Sequence, residues 1–238
     1  RATGVVFTGG ASLSGPFYEA NVFGDDFPAM YWDATAVDFF GTLNDHPMGG
    51  RTWHMLLQTE KYDDDLRVID MQSGRFIIQS AYDNDLCVGI YDGSFREADD
   101  HIGNPLRMPT SACLLSVVRG TNGIARIYVD GEFVGTCGVN VGEGEDADFG
   151  GDLGIGGGYA SFATSRQYRG RIGKVACVSY AQSQEEISQY YEDLVADGFV
   201  QDYPMLSVYA EDASYDGSNI ITSIPDRARQ GDATWTPA

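Results

Sequence analysis

Residues 113–136 read CLLSVVRGTNGIARIYVDGEFVGT, and the fold is decided there. Cys113 to Val118 is an apolar run, Thr121-Asn122-Gly123 a tight turn, Ile124 to Val129 a second run, and Asp130-Gly131 a second turn before Glu132 to Thr136. Asn-Gly and Asp-Gly take the positive φ of type I′ turns, whose twist matches the twist of paired strands. Two such turns this close together predict a three-stranded antiparallel meander.

Downstream, residues 142–152 form a Gly- and acid-rich loop before a short strand at Leu153-Gly154-Ile155. Gly170 to Tyr180 (GRIGKVACVSY) alternates as a half-buried strand does. Ser183-Gln184-Glu185-Glu186 is a capping box, in which Ser accepts from the third helical N–H and Glu reaches back. Ile187, Tyr190, Tyr191, Leu194 and Val195 supply an apolar stripe and Gly198 a stop, so one helix of about 14 residues follows. Upstream, Val5-Val6-Phe7 and segments 52–60, 66–71, 75–80 and 86–91 read as strands. Asp63-Asp64-Asp65 reads as a solvated turn, and residues 15–50 as surface loops with short strands.

The 238 residues suit one large β domain as well as two small ones, and a fold of this size can bury a core without disulfides or metals. Thirty glycines, 12% aromatics and regularly spaced turn residues favour a sandwich or barrel. The formal charge is −20, with 25 of the 35 acids Asp and only Lys61 and Lys174 as lysines. Such a surface repels phosphates, so direct nucleic-acid binding is disfavoured. The Asp-rich, Lys-poor balance fits a saline environment or a lineage bias. No apolar run reaches the ~20 residues of a membrane helix, so no membrane insertion is expected. Cys87, Cys113, Cys137 and Cys177 lack CxxC spacing and sit in apolar runs, reading as buried thiols. The chain opens at Arg1 without an initiator Met or signal pattern, as a processed product or fragment does.

Four pieces in order resemble the laminin-G-like, concanavalin A-like lectin/glucanase superfamily: IYVDGEFVG (127–135), DLGIGGG (152–158), YRGRIGKVACVSY (168–180) and SQEEISQYYEDL (183–194). VVFTGGASLSG (5–15) resembles the family's opening strand. The resemblance implies an all-β, two-sheet antiparallel jelly-roll sandwich with one short helix in its C-terminal half. Residues 1–200 would form the sandwich, with 201–238 packing on it or on a neighbouring copy. The segment from Asp212-Ala213-Ser214 through Trp235 is similar to one that usually opens such domains, and GDATWTPA joined to RATGVVFTGG would restore that order. A circularly permuted or strand-swapped domain is the expectation, with an accidental likeness as the alternative.

Glucanases of this fold alternate two glutamates and an aspartate on a strand. The nearest string, Glu143-Gly144-Glu145-Asp146-Ala147-Asp148, lies in a Gly-rich loop and lacks apolar interleaving, so no catalytic residue is assigned. His46, His54 and His101 show no paired ligand spacing, which disfavours zinc. Calcium takes clustered loop oxygens. Glu145, Asp146, Asp148 and Asp152 are the candidate ligands, with Asp25, Asp26 and Asp33, or Asp83 and Asp85, as other groups and a merely solvated surface as the alternative. Sugar faces stack on aromatic rings beside Asp or Asn, which suits Tyr31, Trp32 and Asp33, and Tyr82, Asp83 and Asp85; Tyr91-Asp92 is a further pair, while Trp53 reads as core. The expectation is a non-catalytic lectin-like module on a virion or cell exterior, as a capsid decoration, fibre or tail component. Its partners would be glycans, copies of itself or other virion proteins, in a homo-oligomer or larger assembly. The alternatives are a glycan-degrading enzyme on the same fold and a purely architectural protein.

Overall fold

The meander forms as its turns require. Asp130 and Gly131 take φ of 50° and 81°, and Val129 pairs with Glu132 across them. The Asp130 side chain also accepts from Leu114 N at 2.8 Å, tying the turn back to the first strand.

The computed structural model describes residues 17–20, 22–23, 27–33, 39–43, 51–60, 66–71, 76–80, 82–89, 99–100, 103–120, 124–138, 151–157, 168–178, 180–197, 206–219, 221–225 and 234–235. The expected strand at 5–7 and turn at 121–123 lie outside them. In chain order the strands are β1 (Phe17–Glu19), β2 (Ala29–Asp33), β3 (Phe39–Leu43), β4 (Arg51–Thr59), β5 (Arg67–Met71), β6 (Phe76–Ser80), β7 (Leu86–Gly89) and β8 (Asp99–Asp100). Then come β9 (Cys113–Arg119), β10 (Ile124–Val129), β11 (Glu132–Gly138), β12 (Gly151–Ile155) and β13 (Arg169–Val178). Helix α1 (Gln184–Asp197) precedes β14 (Leu206–Tyr209), β15 (Ser214–Tyr215), β16 (Ile221–Pro225) and β17 (Thr234–Trp235).

The fold is a two-sheet antiparallel jelly-roll sandwich with one helix. The larger sheet runs β1-β2-β13-β4-β9-β10-β11-β8 with β14 also on β13, and the smaller runs β3-β12-β5-β6-β7. Alternation explains the core. Trp53, Met55 and Leu57 of β4, Leu115 and Val117 of β9, and Ile172, Val175 and Cys177 of β13 point inward, meeting Val68, Ile78, Val88 and Ile155 of the smaller sheet. All four cysteines are buried thiols.

The opposite face of the larger sheet is partly roofed by α1. Ser183 Oγ accepts from Glu186 N at 3.3 Å and Glu186 Oε2 accepts from Ser183 N at 2.8 Å, completing the expected box. Ile187 packs on Val118 and Tyr128, while Tyr190 and Leu194 pack on Leu114. This roof corrects the half-buried reading of the 170–180 strand. Residues 172–178 are buried throughout, because their second face lies under other elements rather than in water.

β13 shares one edge between two partners. Arg169–Ile172 pair with β2 and Lys174–Cys177 pair with β14, while on the other edge the register with β4 shifts between Ile172 and Lys174. Gly170 has φ +139°, and a Cβ there would lie 2.3 Å from Gln58 O, so glycine is required. Ala210 and Ile221 join the central core, and Tyr18 N donates to Asn219 O at 2.7 Å.

Candidate functional site

Antiparallel pairing gathers several chain reversals at one end of the sandwich. Asp33 at the end of β2 pairs with Arg169, Gly170 pairs with Thr59, and Glu60 N donates to Arg169 O at 3.0 Å. Tyr168 N donates to Gly156 O, Gly156 N to Val68 O, Thr59 N to Pro109 O and Met108 N to Asn84 O. Tyr31–Asp33 and Tyr82–Asp85 therefore belong to the same end, although 49 positions separate Asp33 from Tyr82 in the chain. Asp152, the described member of the candidate calcium group, lies elsewhere. Asp152 pairs with Thr42 at the entry to β12, the opposite end of that strand from Ile155. Glu145, Asp146 and Asp148 lie outside the described residues, as do Glu143, Asp25, Asp26, Tyr91, Asp92, His46 and His101.

Tyr31 is half-buried on the face opposite the core residue Met30, since successive residues of a strand alternate. Its register neighbour is Arg171 on β13. The guanidinium carbon sits 4.8 Å from the Tyr31 ring centroid, a cation–π contact. Arg171 Nε donates to Glu19 Oε2 at 2.6 Å, and its Nη1 lies 3.7 Å from Glu60 Oε1. The hydrogen bond to Glu19 raises the Arg171 pKa above its ordinary value. The result is a tyrosine beside a charged, partly exposed network of three side chains from three strand ends. Trp32 and Asp33 follow in β2; their backbone alone is described.

The neighbouring rim is built by backbone strain. Asp83 and Asn84, in a 3-10 turn with Tyr82, both have left-handed φ, 60° and 66°, which Asp and Asn tolerate better than most residues. Buried Asn84 donates from Nδ2 to Met108 O at 2.9 Å, locking the turn to the 103–110 segment. Arg107 forms an ion pair with Asp85 and donates to Asp83 O. Asp85 is thus an anchor, while Asp83 is exposed at the turn.

Sequence reasoning missed a second polar cluster, under α1. His54 Nε2 donates to Gln182 Oε1 at 2.7 Å, and Ser116 Oγ bonds Nδ1 at 2.9 Å. The imidazole stacks on Tyr190 with centroids 3.6 Å apart and planes 6° apart. Lys174 Nζ lies 4.6 Å from the Tyr190 centroid and 4.4 Å from that of Tyr209. Burial pushes the His54 pKa down to about 3, so the ring is neutral at ordinary pH. This cluster has no access for a substrate; it fastens the helix. Among the described residues no group of three or more His, Cys, Asp or Glu could hold a metal ion.

No protein-family model and no curated protein sequence matches the chain. Solved structures do. A Bacteroides ovatus protein described as carbohydrate binding superposes with TM-score 0.60 at 14% identity over 94% of this chain, which spans 61% of that protein. Domain 4 of AbnA, an extracellular arabinanase of Geobacillus stearothermophilus solved with arabinotriose, gives 0.54 at 11% identity, covering 72% of this chain and 79% of the domain. The heptameric SAP-like pentraxin of Limulus polyphemus gives 0.52 at 15%, covering 80% and 82%. At such identities the likeness establishes the fold.

Proposed function

We propose that this chain is a non-catalytic, lectin-like module of a virion or cell exterior, and that it binds glycans at the loop end carrying Tyr31. The observation that carries the reading is the half-buried Tyr31 ring set beside Arg171, which Glu19 and Glu60 hold in place. Such a surface offers a pyranose both an apolar face and hydrogen-bonding groups of both kinds. Trp32 and Asp33 continue the same strand, and Asp83 adds a carboxylate on the rim. The likeness to a carbohydrate-binding protein and to a domain solved with arabinotriose supports this reading.

Two carboxylates engaging one guanidinium is an arrangement for holding a side chain. Hydrolysis calls instead for an acid and a nucleophile facing each other across the scissile bond. Residues 201–238 complete the sandwich in this reading, supported by β14 on β13 and by Ile221 in the core. Further copies of the chain or other exterior proteins are its partners, and calcium, where it binds, would sit at the acidic loop of Glu145, Asp146, Asp148 and Asp152.

The test is a glycan array probed with and without calcium, using the wild-type chain and Tyr31→Ala. We expect specific glycan signals that fall roughly tenfold in the variant, as loss of an aromatic platform implies. Wild-type binding to no glycan, together with stable oligomers, would replace this reading with the architectural one.

A further inference from the structure

We infer that the loop-end site accepts uncharged and amine-bearing glycans and turns away those carrying carboxylate or sulfate. The inference rests on the glycan-binding reading and adds the charge class of the ligand. Recognition of an anionic sugar is driven by a cation whose charge is not already met by a carboxylate, most often an Arg that can offer its fork to an oxyanion. Two described guanidinium groups face this end with their partners identified, and carboxylates hold both. Arg171 is fixed by Glu19 at 2.6 Å and approached by Glu60 at 3.7 Å, and Arg107 is paired with Asp85 and bonded to the Asp83 carbonyl. An acidic sugar would have to displace one of these carboxylates and leave it beside its own negative charge.

The Arg107 side chain is 54% exposed, with its charge met by Asp85, and carboxylates share this surface with it. The Glu60 side chain is 44% exposed and touches Arg171 only loosely, and Asp83 is exposed on the rim. A hydroxyl can donate to either carboxylate, and an ammonium can do so with charge assistance. The chain's formal charge of −20 adds a long-range field that repels acidic polymers at low salt.

The experiment compares neutral, amine-bearing, sialylated and sulfated glycans on one array at 50 mM and 500 mM NaCl, with wild-type protein and Glu60→Lys. At low salt, acidic glycans should bind at least ~10-fold more weakly than their uncharged counterparts, narrowing to ~3-fold at high salt as screening takes over. Glu60→Lys should shift the acidic-to-neutral ratio at least ~3-fold toward acidic ligands. Sialylated or sulfated glycans binding best, or a ratio that Glu60→Lys leaves unchanged, would overturn the charge assignment while the lectin reading stood. Binding to no glycan of any class would overturn both.

Discussion

One face of the larger sheet carries two tyrosine–cation pairs with different fates. Under α1, Tyr190 lies 4.6 Å from Lys174 Nζ and stacks on His54, all of them buried. Near the loop end, Tyr31 lies 4.8 Å from the Arg171 guanidinium, half-buried and without the helix above it. The local chemistry is nearly the same, and what separates the pairs is the roof. A covered pair loses water, so its packing contributes to stability and its titration is displaced. An open pair is screened by solvent and contributes little to folding. The lesson is that a sheet face acquires its role from what lies over it.

Truncation should separate the two most sharply. Tyr190→Ala empties a packed site beside His54 and Leu114 and is expected to cost about 4 kcal/mol of unfolding free energy, whereas Tyr31→Ala should cost less than about 1 kcal/mol. Denaturant melts of both variants measure this, and comparable losses would collapse the distinction.

Acid should act on the covered side. His54 has a folded pKa of about 3, below its ordinary 6.5, so the unfolded chain takes up the proton first. The stability linked to neutral His54 is complete above pH 6.5 and is lost as pH falls from 6.5 toward 3, by about 5 kcal/mol at most. His54→Gln should flatten the pH dependence of the melting midpoint in that window; an unchanged slope would mean that the ring is accessible to protons in the folded state.

Smaller effects sharpen the contrast. Ser183→Ala removes the helix cap and should cost about 1 kcal/mol, read as a lower melting temperature. Arg171→Met, which breaks the open network, should change stability by less than about 1 kcal/mol while reducing any glycan signal.

Much of the fold was legible in local sequence. The Asp130-Gly131 turn, the Ser183–Glu186 box and the apolar stripe of Ile187, Tyr190 and Leu194 each specify a conformation within a few residues. Tyr31 was legible as a site candidate, because an aromatic beside Trp and Asp in a loop-rich region suits a sugar. Its partners were not, since Glu19 and Arg171 are 152 positions apart. His54 and Lys174 were illegible for a related reason. A polar residue at an alternate position of a strand looks solvent-facing until a helix from elsewhere covers it.

By itself the sequence determined the strand periods, the turn chemistry, the capped helix and the sign of the surface, because these depend on neighbours in the chain and on composition. Only the tertiary structure decided which face of the larger sheet is roofed, which polar residues are buried and which strand ends meet. Those outcomes depend on contacts such as His54 to Ser116 and His54 to Gln182, across 62 and 128 positions, whose energies exist only once the chain has closed on itself.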